Sequence, residues 1–256
     1  MPARDLALLT EAAREAGAIA AEFWGKAPKV WEKPGAGPVS EADFAIDAAL
    51  RARLGGARPD YGWLSEETED TPARLGARRI FIVDPLDGTR AFLKGERSFA
   101  HALAVAEGGQ VVAAVVYLPM RDKLYAATLG GGAFLNGAPI AAAAPRALDE
   151  ATVLAGRPAL AQAHWKGPAP RFRPVLRPSL AYRLCLVAEG RFDALLTLRA
   201  SWDWDTAAGG LIAAEAGATL SDRRGRPLAF NTPVPQSEGV IAAPALLHAE
   251  MVARLA

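Results

Sequence analysis

The stretch IFIVDPLDGTRAF, Ile80 to Phe92, decides how this chain is read. Ile80, Phe81, Ile82 and Val83 are consecutive apolar residues, which suits a strand buried on both faces. The run then stops at Asp84, Pro85, Leu86 and Asp87, followed by Gly88-Thr89. An unpaired carboxylate at the end of a buried strand is costly, so Asp84 needs a partner. Pro85 removes an N–H and turns the chain, which lets the Leu86 carbonyl and the Asp87 side chain point back toward Asp84. Oxygen donors without histidine or cysteine suit a hard cation such as Mg2+. Gly88-Thr89 would then open a short helix whose free N–H groups accept a phosphate oxygen. A tight turn is the competing interpretation, because Asp-Gly is also a turn signal.

The wider chain limits what such a site can serve. Its 256 residues, 51% of them hydrophobic, are enough for a large core in one domain or two lobes. Basic and acidic residues number 29 and 28, a net charge of +1. No general field therefore attracts a nucleic-acid polymer or an anionic membrane, and any anionic ligand is held locally. Cys185, in LCLVA, reads as a small buried hydrophobe. A single cysteine forms no internal disulfide, which suits a reducing compartment. Asp5, Glu11, Arg14 and Glu15 interrupt the segment where a signal peptide has its apolar core, and no uncharged apolar run approaches membrane-spanning length. The expectation is a soluble cytoplasmic protein.

Leu6, Leu9, Ala13, Ala16, Ala20 and Phe23 recur at helical spacing and predict a helix over residues 4–24 that stops at Gly25. KPGAGPVS (33–40) reads as a loop, and Ser40 opens a second helix with Ile46, Leu50 and Leu54 on one side. Strands are predicted at 78–84, in FAHALAV (99–105), VVAAVVYL (111–118) and KLYAAT (123–128), with Asn136-Gly137 as a hairpin signal. The alanine-rich segment 141–148 divides the chain into an N-terminal lobe, 1–145, and a C-terminal lobe, 146–256. Beyond it come a strand (152–155), a proline-rich stretch (168–178), a helix (179–189), a strand (191–197) and a helix (205–216). Strands near 218–221 and 238–242 and a helix over 244–255 complete the chain. Without regular βαβ alternation, layered α/β with mixed, largely antiparallel sheets is expected.

The usual nucleophile and nucleotide motifs, G-x-S-x-G, G-x-x-x-x-G-K-[ST] and a complete G-x-G-x-x-G, are missing. His101, His164 and His248 are scattered without zinc spacing and read as structural or exposed. What remains is carboxylate near chain turns. Glu66 and Glu67 follow the apolar YGWL, and Asp205 stands at a helix start whose buried face is Ala207, Ala208, Leu211 and Ile212. Singly, these acids have plain structural explanations: a solvated loop for Glu66-Glu67, an N-cap for Asp205, and a capping box for Asp43 with Ser40.

Together with their spacing, the motifs resemble the inositol monophosphatase superfamily of Mg2+-dependent, lithium-sensitive phosphomonoesterases. D-P-[IL]-D-G-T is matched by Asp84 to Thr89, and W-D-x-A-A-G by Trp204 to Gly209, followed by Glu215-Ala216-Gly217. The upstream acidic pair is matched by Glu66-Glu67 and V-[ST]-x-A-D by Val39 to Asp43, and GAFLNGAPI (132–140) is also similar. The resemblance runs from about residue 30 to 240. It implies a layered α/β/α/β/α sandwich and two or three Mg2+ ions. Glu66, Asp84 and the Leu86 carbonyl would hold one ion, and Asp84, Asp87 and Asp205 a second. A third, near Glu66, would be held mostly through water. The implied nucleophile is a metal-activated water oriented by Thr89 in a pair with Asp43, with Glu66 in the catalytic set and no covalent phosphoenzyme. Gly88, Thr89 and Asp205 would contact the substrate phosphate.

The substrate implied is a small phosphorylated molecule. T-x-x-F-x-K, here Thr89 to Lys94, and SLAYRLCLVAEG (179–190) resemble the 3'(2'),5'-bisphosphate nucleotidase branch, which removes the 3'-phosphate of adenosine 3',5'-bisphosphate. Arg183 stands where that branch carries a lysine, so Lys94 and Arg183 are candidates for anionic substrate groups, with surface charge as the alternative. Leu198 stands where inositol phosphatases place a glutamate, seven residues before Asp205. Inositol 1-phosphate, or another sugar, polyol or histidinol phosphate, is the alternative substrate. A catalytically silent metal-binding regulatory protein is the non-enzyme alternative. Monomer and homodimer both stay open, and neither Asp203 nor Glu67 receives a role.

Overall fold

The computed structural model describes residues 2–33, 35 and 37–256. The order of elements begins α1 (Pro2–Phe23), β1 (Val30–Lys33), β2 (Gly37–Ser40), α2 (Glu41–Ala57), β3 (Gly62–Ser65), β4 (Arg79–Asp87) and α3 (Thr89–Leu93). It continues β5 (Ala100–Glu107), β6 (Gln110–Leu118), β7 (Lys123–Thr128), β8 (Ala133–Leu135), β9 (Ala138–Pro139), β10 (Thr152–Leu154) and β11 (Arg173–Val175). It ends α4 (Leu180–Ala188), β12 (Ala194–Thr197), β13 (Ser201–Trp202), α5 (Asp203–Glu215), β14 (Thr219–Ser221), β15 (Gln236–Ser237), β16 (Val240–Ala243) and α6 (Ala245–Arg254).

Seven strands pair in the order β3-β4-β5-β6-β7-β8-β9, antiparallel except for β3 beside β4. The apolar run in β4 is continuous because both faces of this sheet are covered. Phe81 and Val83 pack with Leu9, Ala13, Ile46 and Leu50 of α1 and α2, while Ile80 and Ile82 pack with Leu184, Ala208 and Ile212 of α4 and α5. A second sheet, β11-β10-β12-β16-β14, meets the other side of α4 and α5 through Leu154, Leu195 and Ala242. Its outer face, with Val153, Leu196 and Ile241, is covered by Leu247 and Met251 of α6. The result is the α/β/α/β/α layering, with mixed sheets.

The middle helix layer is built with small residues. A Cβ on Gly209 would come within 2.7 Å of the Leu184 side chain and 2.8 Å of the Ala181 carbonyl oxygen. Glycine there lets α4 and α5 touch, which brings the starts of both helices to the end of β4. At that end the register with β5 shifts between Asp84 and Asp87, and a bulge of this kind re-aims side chains at a strand terminus.

Several boundaries differ from the sequence expectations. KPGAGPVS is not a plain loop: β1 and β2 form an antiparallel hairpin with Val30 opposite Ser40, while Pro34 and Ala36 lie outside the described residues. The segment predicted as a strand from 191 becomes one only at Ala194, after a turn. β4 runs on through Pro85 to Asp87. The Asn136-Gly137 hairpin is present, both residues having positive φ (49° and 81°) between Leu135 and its partner Ala138. Among the described residues no helix is long and apolar enough to cross a membrane.

Candidate active site

Asp84 and Asp87 from the end of β4 and Asp205 from the first turn of α5 converge. One carboxylate oxygen from each lies within 4.8 Å of the others. Asp84 and Asp87 are buried. Burial, then repulsion from Glu66, Asp87 and Asp205, pushes the Asp84 carboxyl well above its ordinary range. Asp205 is pushed up to about 7, by burial first and then by Asp87 and Glu66. Three carboxyls crowded in this way fit a cation, because an oxygen-only donor set suits a hard ion and its charge relieves the repulsion.

Hydrogen bonds fix the acids in place. The Leu86 N–H donates to Asp84 (2.9 Å), a contact that the sequence reading, which turns the Leu86 carbonyl toward Asp84, does not include. Asp87 accepts from the Ser179 hydroxyl and the Ala181 N–H, both at 2.7 Å, so it ties the end of β4 to the start of α4. Ser179 also accepts from the Tyr182 N–H as the N-cap, at φ of 64°, a left-handed value that favours glycine. Asp205 accepts from the Trp202 N–H at 3.4 Å, so it is at once an N-terminal capping acid and part of the cluster. Gly88 has φ of 102°, which requires glycine at the turn into α3.

The Thr89 hydroxyl lies 3.1 Å from Asp43 and 3.2 Å from the Leu86 carbonyl oxygen. Asp43 in turn accepts from the Ser40 N–H (2.8 Å) and hydroxyl (2.5 Å), the capping box expected at the start of α2. Burial raises the Asp43 carboxyl, while the Ser40 bonds pull it back. Beneath the turn, buried His101 donates from Nδ1 to the Pro85 carbonyl at 2.5 Å. Burial lowers His101 to about 4, so it is neutral there.

Glu66 stands apart from the three clustered acids. Its carboxylate, like that of Glu67, is 2.9 Å from Lys33 Nζ at the end of β1. Burial pushes Glu67 up to about 7 despite this pairing. Lys33 was not a sequence candidate; it lies in the segment read as a loop, and only the hairpin brings it to Glu66. Asp203 serves the fold. It accepts from the Asn231 N–H at 2.9 Å, and Asn231 accepts from buried Arg74 at 2.7 Å.

A hollow of about 500 Å3 opens over the acids. Glu66, Asp84, Leu86, Asp87, Gly88, Thr89, Lys94, Arg183 and Asp205 all line it, whereas Asp43 stands behind Thr89. Arg183 is buried: its Nε donates to the Ser179 carbonyl (3.3 Å), and burial lowers its pKa against the pull of Asp87. Lys94 is exposed at the rim. Arg90, Arg177 and Arg199 also line the hollow and were not found from the sequence. Leu198 packs instead with the core beneath α6, and its neighbour Arg199 faces the hollow. β12 ends at Thr197, so the available signal was its alternation continued one and two residues past the strand, which puts Leu198 and Arg199 on opposite sides.

Comparison with known proteins agrees with this geometry. The sequence profile of the inositol monophosphatase family matches residues 2–256. The chain is 37% identical to an inositol-1-monophosphatase of Rhizobium meliloti (strain 1021), over 86% of each chain. It is 29% identical to the 3'(2'),5'-bisphosphate nucleotidase CysQ of Aggregatibacter actinomycetemcomitans, over 86% of this chain and 85% of that one. Among solved structures, an IMPase of Thermotoga maritima superposes with a TM-score of 0.83 at 28% identity, covering 99% of this chain and 96% of that one.

Proposed function

The chain belongs to the inositol monophosphatase family, and from that premise we propose that its substrate is a small phosphomonoester bearing a second anionic group. Like the family, it is a phosphatase, a phosphoric monoester hydrolase. The leading substrate is adenosine 3',5'-bisphosphate, losing its 3'-phosphate. The observation that carries this is the lining of the hollow. Lys94, Arg177, Arg183 and Arg199 share it with the acids, more cation than one phosphate beside bound metal requires. A polyol would need a directed acceptor for its hydroxyls, and Leu198 is turned into the core.

Glu66, Asp84, the Leu86 carbonyl, Asp87 and Asp205 would hold two or three Mg2+ ions. Bound Mg2+ would neutralise phosphate oxygens and make water a stronger nucleophile. The chain's own residues supply the positioning. Asp43, fixed by Ser40, holds the Thr89 hydroxyl so that its oxygen accepts from the attacking water, and a departing proton then has a route through Thr89 to Asp43. The N–H groups at the start of α3, around Gly88 and Thr89, are offered to a phosphate oxygen. Lys94, Arg183 and Arg199 hold the second anionic group.

Inositol 1-phosphate is the second reading, favoured by the relative at 37% identity. Arg199→Ala separates the two. This exposed residue should cost about tenfold to a hundredfold in kcat/KM on the bisphosphate, the loss of one charge-assisted contact, and leave p-nitrophenyl phosphate unaffected. An equal effect on both substrates, or none on either, would remove the second anionic group from the proposal.

A further inference from the structure

A second hollow, of about 590 Å3, is lined by Arg146, Arg173, Arg177 and Arg191. Its frame is backbone. β10 and β11 pair in parallel on one side, and the turn Gly190–Asp193 leading to β12 forms another. That turn packs tightly on the segment before Arg146: a Cβ on Gly190 (φ 69°) would stand 3.0 Å from the Ala141 carbonyl oxygen. Phe192 forms part of the wall, with the Arg177 guanidinium 5.9 Å above its ring.

The charge of this hollow is not balanced locally. Asp193 is the one acid among its lining residues; it accepts from the Thr152 N–H at 2.7 Å and reaches Arg146 only at 3.5 Å. Arg191 has Glu189 at 3.6 Å, but Glu189 is held more closely by Lys123 (2.8 Å) and Tyr125 (3.0 Å). Among the described residues, Arg173 and Arg177 have no carboxylate at ion-pair distance. In a chain of net charge +1, four arginines around one recess are a local concentration, not a consequence of general basicity. Planar guanidinium forks match phosphate oxygens, and four of them around one recess exceed what a single phosphate engages.

We propose that this hollow is a second anion site for a small polyphosphorylated molecule, and that Arg177, which lines both hollows, couples it to the active site. The inference does not depend on which substrate the active site takes. Arg146 and Arg173 are exposed and line only the second hollow, so replacing both leaves the catalytic groups in place.

Inorganic tripolyphosphate titrated into the full chain by calorimetry, in EDTA so that metal plays no part, tests the site. Binding should weaken by about tenfold or more in Arg146→Ala/Arg173→Ala and by less than about twofold in Lys94→Ala. At a fixed free Mg2+ concentration, tripolyphosphate should also raise KM for p-nitrophenyl phosphate in the wild type and not in the double variant. Unchanged binding in the double variant, absence of binding to the wild type at millimolar concentration, or an equal KM effect in both proteins would overturn the proposal.

Discussion

The Thr89 hydroxyl stands 3.1 Å from the Asp43 carboxylate, joining the turn after β4 to the first turn of α2. If this pair orients water rather than binding metal, Thr89→Ala should lower kcat by about a hundredfold or more, with Mg2+ affinity by calorimetry unchanged. Thr89→Ser should recover most of the rate. A Thr89→Ala variant with normal kcat would remove the pair from the reaction.

The clustered acids should show activity traded against stability. Asp84 is buried and repelled by Glu66, Asp87 and Asp205, so Asp84→Asn should raise the melting temperature of the metal-free protein by about 2–5 °C. The same variant should lose the stabilisation that Mg2+ gives the wild type, and its phosphatase activity. Differential scanning calorimetry with and without Mg2+ reads both effects. A metal-free variant less stable than the wild type would contradict the repulsion described here.

His101 gives stability a defined pH dependence. Its folded pKa of about 4 lies below the value of about 6.5 for an unfolded chain, so between these values the unfolded state binds the extra proton. Stability from this group is therefore lost as pH falls through that window. Between pH 7 and pH 5 the wild type should lose about 2 kcal/mol more than His101→Asn, measured by urea unfolding. The raised carboxyls shift stability in the opposite direction but are common to both proteins, so the difference isolates His101. Equal losses would show that His101 is not buried in neutral form.

Gly209→Ala should destabilise the fold by about 1–3 kcal/mol, because its Cβ would meet Leu184 and the Ala181 carbonyl with no room to yield. Denaturant midpoints of the variant and wild type provide the measurement. Equal midpoints would mean that α4 and α5 are less closely packed than described.

Much of the arrangement was legible because local pattern and tertiary need coincide. The apolar run before Asp84 suits a doubly covered strand, and the turn after Asp-Pro-Leu-Asp takes a glycine at Gly88, whose φ is 102°. The capping box of Asp43 with Ser40 was legible locally. α5, however, starts at Asp203 with Trp202 as its N-cap, so Asp205 is the third residue of the helix rather than the cap read from the sequence. Nothing local shows that Asp205 lines the hollow or that Asp43 stands behind Thr89. Lys33, Arg177 and Arg199 were missed because their placement depends on long-range pairing: a hairpin across KPGAGPVS, the edge of a second sheet, and the face taken just past the end of β12. Ser179, between Pro178 and an apolar helix, carried an N-cap signal that could have been found. Its bond to Asp87, 92 positions away in the chain, could not.

The cations facing the acids are tested most directly by kcat/KM for adenosine 3',5'-bisphosphate and inositol 1-phosphate, measured side by side at one Mg2+ concentration. With Lys94, Arg183 and Arg199 lining the hollow, the bisphosphate should be preferred by about tenfold or more. Equal values, or a preference for inositol 1-phosphate, would contradict the second anionic group as the basis of substrate choice.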